Sequence, residues 1–161
     1  MSDRILTACF SATGVTLGVA RTITARIGGD LFQILPAKPY TAANLNWNNS
    51  ASRSSVEMKD PASRPGIADK VANMGEYSAV FLGFPIWWYD APRIILTFLD
   101  SYDFADKIMF PFATSGSSGL GSIPQNLKKA CPAADWRPGI CFAGGPRREE
   151  AEAWVKTCLE K

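Results

Sequence analysis

Short apolar runs alternate with amphipathic stretches five times along this chain, and that alternation leaves few folds open. "RILTACF" (4–10), "DLFQIL" (30–35), "AVFLGFP" (79–85), "KIMFPFAT" (107–114) and "GICFAG" (139–144) each read as a strand bounded by turn-forming residues. Between them lie helical spacings. Val19, Ile23 and Ile27 recur every four residues from Val15 to Ile27, and Gly28-Gly29 stops that helix. Ile67, Val71 and Met74 predict a helix over 67–76. Pro92 opens another, with Ile94, Ile95, Phe98 and Leu99 behind it. Further helices are predicted at 122–131 and 147–160, the last facing inward through Ala151, Trp154, Val155, Cys158 and Leu159. Strict β-α alternation implies one α/β domain of 161 residues, with a parallel sheet between two helical layers.

In such a fold, ligands bind beyond the carboxyl ends of the strands. Three unusual loops fall there: 11–16, 85–92 and 114–121. The first, within "FSATGVT" (10–16), joins strand one to helix one. Unpaired amides collect at a helix N-terminus, where the dipole is positive. Ser11, Thr13 and Thr16 add hydroxyls, and Gly14 permits close backbone approach. The set suits an anion such as a phosphate monoester, and it equally suits a plain helix cap. A Walker loop is excluded because the segment has no lysine, and a dinucleotide fingerprint because it has one glycine. A cysteine phosphatase loop starting at Cys9 would need arginine where Val15 stands.

In the second loop, "PIWWYDAP" (85–92), Trp87, Trp88 and Tyr89 are consecutive, so their side chains diverge. At least one should reach the strand-end rim. There it can stack on a planar ring, pack on the following helix or meet another subunit. The third loop, "TSGSSGLG" (114–121), is built of small residues. It can present amides to a flat ligand's polar edge or serve as a surface turn.

The chain has no histidine, which removes Ser-His-Asp and Cys-His catalysis and histidine zinc sites. Reactivity must come from elsewhere. Cys9, Cys131, Cys141 and Cys158 form no C-x-x-C pair and read as reduced thiols. A formal net charge of +2 without a basic cluster gives no reason to invoke nucleic acid. No apolar run approaches membrane-spanning length, and a cytoplasmic protein is expected.

Together the loops carry a resemblance. The chain resembles the flavodoxin-like flavoproteins essentially end to end, above all through "YTAANLNW", "SRSSVEM", "FPIWWYDAPRII" and "FATSGSSGLG". The resemblance implies a three-layer sandwich whose five-stranded parallel sheet has the order 2-1-3-4-5. It implies FMN as cofactor. Ser11, Thr13, Gly14, Val15 and Thr16 would hold the phosphate. Pro85, Ile86, Trp87, Trp88 and Tyr89 would line the isoalloxazine, with Trp88 foremost. Thr114, Ser115, Gly116, Ser117 and Gly119 would line the opposite flavin edge. Flavin would then carry the chemistry that histidine cannot.

Two departures set the chain apart from the small electron carriers of that family. Those carriers are strongly acidic, and several place a glycine beside the flavin N5; here the charge is +2 and loop 85–92 has no glycine. Both favour an FMN oxidoreductase that passes electrons to a small acceptor such as a quinone. NAD(P)H is a candidate donor, although no segment encodes a nicotinamide site. The alternatives are a flavodoxin-type carrier between protein partners and an interaction scaffold without FMN. A homodimer is compatible with the exposed tryptophans.

Residues 36–66 are too long for an ordinary connection. They either pin a surface excursion to the body or contribute to function. In the functional reading, "SRSSVE" (52–57) lies over or beside the flavin. Arg53 then meets a substrate anion or the reduced flavin's negative charge at N1–O2.

Overall fold

The computed structural model describes residues 4–144 and 148–160. Strands β1 (Arg4–Cys9), β2 (Asp30–Gln33), β3 (Tyr77–Pro85) and β4 (Ile108–Ser115) run parallel in the order 2-1-3-4. The fifth position is shared by β5 (Asp135–Trp136), beside the start of β4, and β6 (Ile140–Ala143), beside its end. The sheet therefore keeps the expected order 2-1-3-4-5, with the last strand cut in two. Pro111, which has no amide to donate, lies in β4 opposite the cut. Gly139 fills the cut where a Cβ would come within 2.5 Å of the Pro111 carbonyl oxygen.

Side-chain alternation divides the core between the two faces of the sheet. Leu6, Ala8, Val80, Leu82, Phe84 and Met109 pack against α3 (Arg93–Asp100) and α4 (Ile123–Ala130) through Ile94, Ile95, Phe98, Ile123 and Leu127. Cys9, Phe81, Phe110, Phe112 and Phe142 pack against α1 (Val15–Ile27) and α5 (Arg148–Leu159) through Val19, Ala20, Ile23, Ala151 and Val155. Trp154 meets the Phe81 ring edge-on at 5.4 Å, and Phe81 stacks on Phe110 at 4.6 Å. Each phenylalanine so enclosed contributes about 2–3 kcal/mol of burial. The predicted start of the last helix, residue 147, lies outside the described residues.

The crossover from β2 to β3 differs from the prediction. No α-helix covers 67–76; only a 3-10 turn, Met74–Glu76, forms there. Ile67 instead makes an antiparallel bridge to Pro36, while Val71 and Met74 drop into the core. The four-residue spacing marks anchor points of an irregular segment, not a helical stripe. The helix of this crossover is α2 (Arg53–Lys59), inside the long polar passage. Ser52 caps it by accepting from the Ser55 amide, and Arg53 pairs with Glu57 one turn on. No helix among the described residues is long and apolar enough to cross a membrane.

Candidate functional site

Strands β1, β3 and β4 deliver their three loops to one end of the sheet, where they border a cleft of about 710 Å³. Ala12 and Thr13 come from the first loop, Ile86 to Tyr89 from the second, and Gly116 to Ser118 from the third. The crossover adds a fourth wall through Leu45, Trp47 and Ser54.

The first loop turns into α1 through Gly14, held at φ +97 with open space where a Cβ would stand. Ser11 Oγ accepts from the Gly14 amide at 3.0 Å, which leaves its own proton available to donate. No side chain caps α1, and its first turn holds no acidic residue. An uncapped N-terminus beside two hydroxyls and a glycine is chemically suited to an anion. Thr16 departs from the expected role. It is 1% exposed, and its hydroxyl shares a 2.8 Å hydrogen bond with Thr114 Oγ1. Both residues brace α1 against the end of β4 from beneath, so neither lines the cleft. Val15, half exposed, starts the helix beside Gly14.

The second loop is a two-residue reverse turn. The Trp87 amide donates to the Asp90 carbonyl at 2.9 Å, and the Asp90 amide returns the bond at 3.0 Å. Trp88 and Tyr89 occupy its centre with φ +49 and +63. Both central residues at positive φ define a type I′ turn, which ordinarily takes Asn-Gly. Non-glycine residues held there cost about 1–3 kcal/mol each and concentrate at functional sites. The turn presents Trp88, 43% exposed, and Tyr89, 79% exposed. Trp87 faces inward, edge-on to Phe10 at 5.5 Å and to Tyr40 at 5.4 Å. Pro85 ends β3 just below.

The third loop is pinned by a small cluster. Ser115 Oγ donates to the Ser118 carbonyl at 2.5 Å, and Cys141 Sγ donates to the same carbonyl at 3.2 Å. Gly116 and Ser117 thereby border the cleft on a fixed bend, while Ser115 and Gly119 support it from outside the lining.

The fourth wall places part of "SRSSVE" beside the cleft, but not Arg53. The Arg53 guanidinium lies 3.9 Å above the Tyr40 ring, donates to Glu57 Oε2 at 2.8 Å and to the Lys38 carbonyl at 2.6 Å. Its charge is neutralised within the crossover, so it has a structural post and not a ligand-facing one. Tyr40 in turn donates to Glu57 Oε1 at 2.5 Å; burial, reinforced by that carboxylate, raises its phenol well above the ordinary range. Ser54 is the residue beside the cleft. It is 1% exposed, and its Oγ is the one buried side-chain oxygen among the described residues without a hydrogen-bond partner. A buried unpaired hydroxyl costs about 1–3 kcal/mol, which a ligand acceptor would recover.

Cys9 lies beneath the first loop, and burial pushes its thiol up to about 12, so it stays protonated and is no nucleophile. Among the described residues no cluster of carboxylates or thiols could hold a metal. Ser54 lies in the segment expected beside the flavin, and Leu45, Trp47, Ala12 and Ser118 extend the lining beyond the residues named from the sequence. Trp47, a lone tryptophan in a polar stretch and 72% exposed, was a second signal for this wall beside "SRSSVE".

A family model described as flavodoxin matches residues 4–158. A candidate flavoprotein of Bacteroides eggerthii DSM 20697 is 47% identical, over 97% of this chain and 98% of that one, with a TM-score of 0.90. A second, from Bacteroides uniformis ATCC 8492, is 45% identical over 97% and 99%, with a TM-score of 0.92. A Lactobacillus acidophilus NCFM flavoprotein in complex with FMN shares the fold at 17% identity, over 87% and 93%, with a TM-score of 0.70. No functionally curated protein matches the chain.

Proposed function

Because the chain belongs to the flavodoxin family, we propose that its cleft binds FMN and that the protein is an oxidoreductase. It passes electrons from a reduced donor, NAD(P)H among the candidates, to a small acceptor such as a quinone. One observation carries the reading. An uncapped helix N-terminus, entered through a left-handed glycine, and a rigid aromatic turn open onto one cleft.

The residues fit the two halves of FMN. Its phosphate finds the first amides of α1 with the Ser11 and Thr13 hydroxyls, and no acidic side chain in that turn opposes it. Its ring finds Trp88 and Tyr89 held in place by the reciprocal Trp87–Asp90 bonds, so little ordering is needed on binding. The bend at Gly116 and Ser117 offers amides to a polar ring edge, and the Ser54 hydroxyl supplies an unused donor. Bound FMN supplies reversible two-electron chemistry that no side chain of this histidine-free protein provides. Ile86, Trp87 and Leu45 form the apolar part of the cleft lining. The related Lactobacillus protein in complex with FMN supports the assignment at the level of the fold.

The test is a titration of apoprotein with FMN, followed by flavin fluorescence and the visible spectrum. NADH or NADPH oxidation is then measured with and without a quinone. Saturable binding and quinone-dependent turnover are expected. A protein that takes up no FMN ends the proposal. FMN binding without electron delivery to any quinone would leave the carrier between protein partners.

A further inference from the structure

The cleft holds more than the three loops of the parallel sheet. Leu45 and Trp47 reach it from the crossover, and the way they are held is specific. The Thr41 amide donates to Asn44 Oδ1 at 3.0 Å, and the Asn44 amide donates to Thr41 Oγ1 at 3.1 Å. Asn46 Oδ1 accepts from the Asn48 amide at 3.1 Å, and Asn49 Oδ1 accepts from the Ala51 amide at 3.0 Å. Side chains thus stitch the loop turn by turn. Such a loop is ordered by its own bonds, yet it leaves the Trp47 indole 72% exposed. An ordered loop that shows a large apolar ring at a cleft marks a contact surface.

Charge is the second observation. Among the described residues lining the cleft there is no lysine, arginine, aspartate or glutamate. Arg53 of the crossover and Arg93 of α3 are already matched, Arg53 by Glu57 and Arg93 by Asp90 at 3.4 Å. A charged ligand in the acceptor position would lose hydration and gain no counter-ion.

We propose that the Leu45–Trp47 loop of the crossover forms the acceptor side of the cleft, in which Trp47 stacks an uncharged planar quinone and the neutral lining disfavours anionic ones. The proposal rests on the flavin reading and names the acceptor class for the same site. In the reaction the quinone gains two electrons and two protons from fully reduced FMN, which is oxidised, and leaves as the hydroquinone. Trp47 is then a specificity residue: it orients the acceptor ring and takes no part in proton or electron bookkeeping.

The experiment uses oxidised holoprotein and equilibrium dialysis, so it reads binding without turnover. The probes are duroquinone and a trimethylbenzoquinone bearing a carboxylate side chain. Both rings are fully substituted, so neither adds to the free cysteines. Wild type, Trp47→Ala and Trp47→Phe are compared, with the FMN dissociation constant measured for each. Wild type should bind duroquinone about tenfold more tightly than the carboxylate. Trp47→Ala should lose about tenfold for duroquinone, a stacking-sized effect, and Trp47→Phe should recover most of it. Each variant is dialysed at an FMN concentration that saturates it, so quinone affinity is read on holoprotein throughout. Equal affinity for the two quinones, or full duroquinone affinity in Trp47→Ala, overturns the inference while FMN binding stands. A dimer dispersed by Trp47→Ala at unchanged quinone affinity also overturns it, and makes the indole a contact between copies. Absence of FMN binding in wild type is the separate failure of the flavin reading, and this inference falls with it.

Discussion

Arg93 and Met58 are joined by a 2.7 Å hydrogen bond from the guanidinium Nη2 to the backbone carbonyl, and this bond ties α2 of the crossover to the first turn of α3. Arg93 is 9% exposed. Its Nε also reaches the Glu57 carbonyl at 3.3 Å, which the Asp60 amide bonds as well, so it contacts two carbonyls in the last turn of α2. Nη1 faces Asp90, whose backbone closes the aromatic turn. One side chain therefore sets the fourth wall against the tryptophan loop.

Arg93→Ala should lower unfolding free energy by about 2–3 kcal/mol, because it strands the Met58 carbonyl of a charged donor, while the Glu57 carbonyl keeps the Asp60 amide. Urea denaturation measures it. Arg93→Lys should recover only part, since an ammonium cannot span both carbonyls and Asp90. If Arg93→Ala unfolds at the wild-type midpoint, the tie is not holding α2.

Tyr89→Gly should raise the melting temperature of the apoprotein, since glycine relieves the positive φ at the turn by about 1 kcal/mol or more. The same change should weaken FMN binding by removing a ring from the rim. A variant that gains stability and binds FMN as wild type would show that Tyr89 makes no ring contact.

Ser54→Ala removes the hydroxyl that lacks a partner. Apoprotein stability should hold or rise slightly. FMN affinity should fall by about three- to tenfold if that hydroxyl bonds the ligand, a loss of about 1 kcal/mol. Isothermal titration of both proteins decides it; equal affinities would assign Ser54 to the wall alone.

Cys9 and Tyr40 give the pH dependence its sign. Burial pushes the Cys9 thiol up to about 12, and burial with the Glu57 hydrogen bond raises the Tyr40 phenol. In the unfolded chain both ionise earlier, near 9 and 10. Their contribution is complete below those values and declines as pH climbs toward the folded-state values. Stability should therefore fall above about pH 9. Cys9→Ala should flatten that fall, as thermal melts from pH 8 to 11 would show. Native Cys9 should also resist thiol reagents that label it after denaturation.

Much of the fold was legible because the strands are enclosed on both faces. "AVFLGFP" and "KIMFPFAT" can be little else than central strands. The crossover was not. Val71 and Met74 have helical spacing but are anchors of an irregular path, and spacing alone cannot tell the two apart. α2 is short and polar, and tertiary bonds from Arg93 hold it; no apolar stripe announces it. Its local signals, a serine cap and the i,i+4 spacing of Arg53 and Glu57, lie in the sequence, and that pairing occupies the Arg53 that the sequence reading aimed at the flavin. The aromatic loop was legible in composition and not in shape. A type I′ turn is read from Asn-Gly, and Trp88-Tyr89 hides it. Thr16 illustrates the opposite limit. A hydroxyl at the helix entrance suits a ligand or a neighbouring threonine equally well, and only the register of β4 brings Thr114 under it.

The break at Pro138-Gly139 shapes how the molecule meets its own kind. Among the described residues, one border of the sheet offers the two residues of β5 and the four of β6, and the other the four of β2. A stray extended segment seeking a partner would find no long template on either side. The close approach of Gly139 to Pro111 that interrupts the ladder thus leaves that border short as a pairing edge.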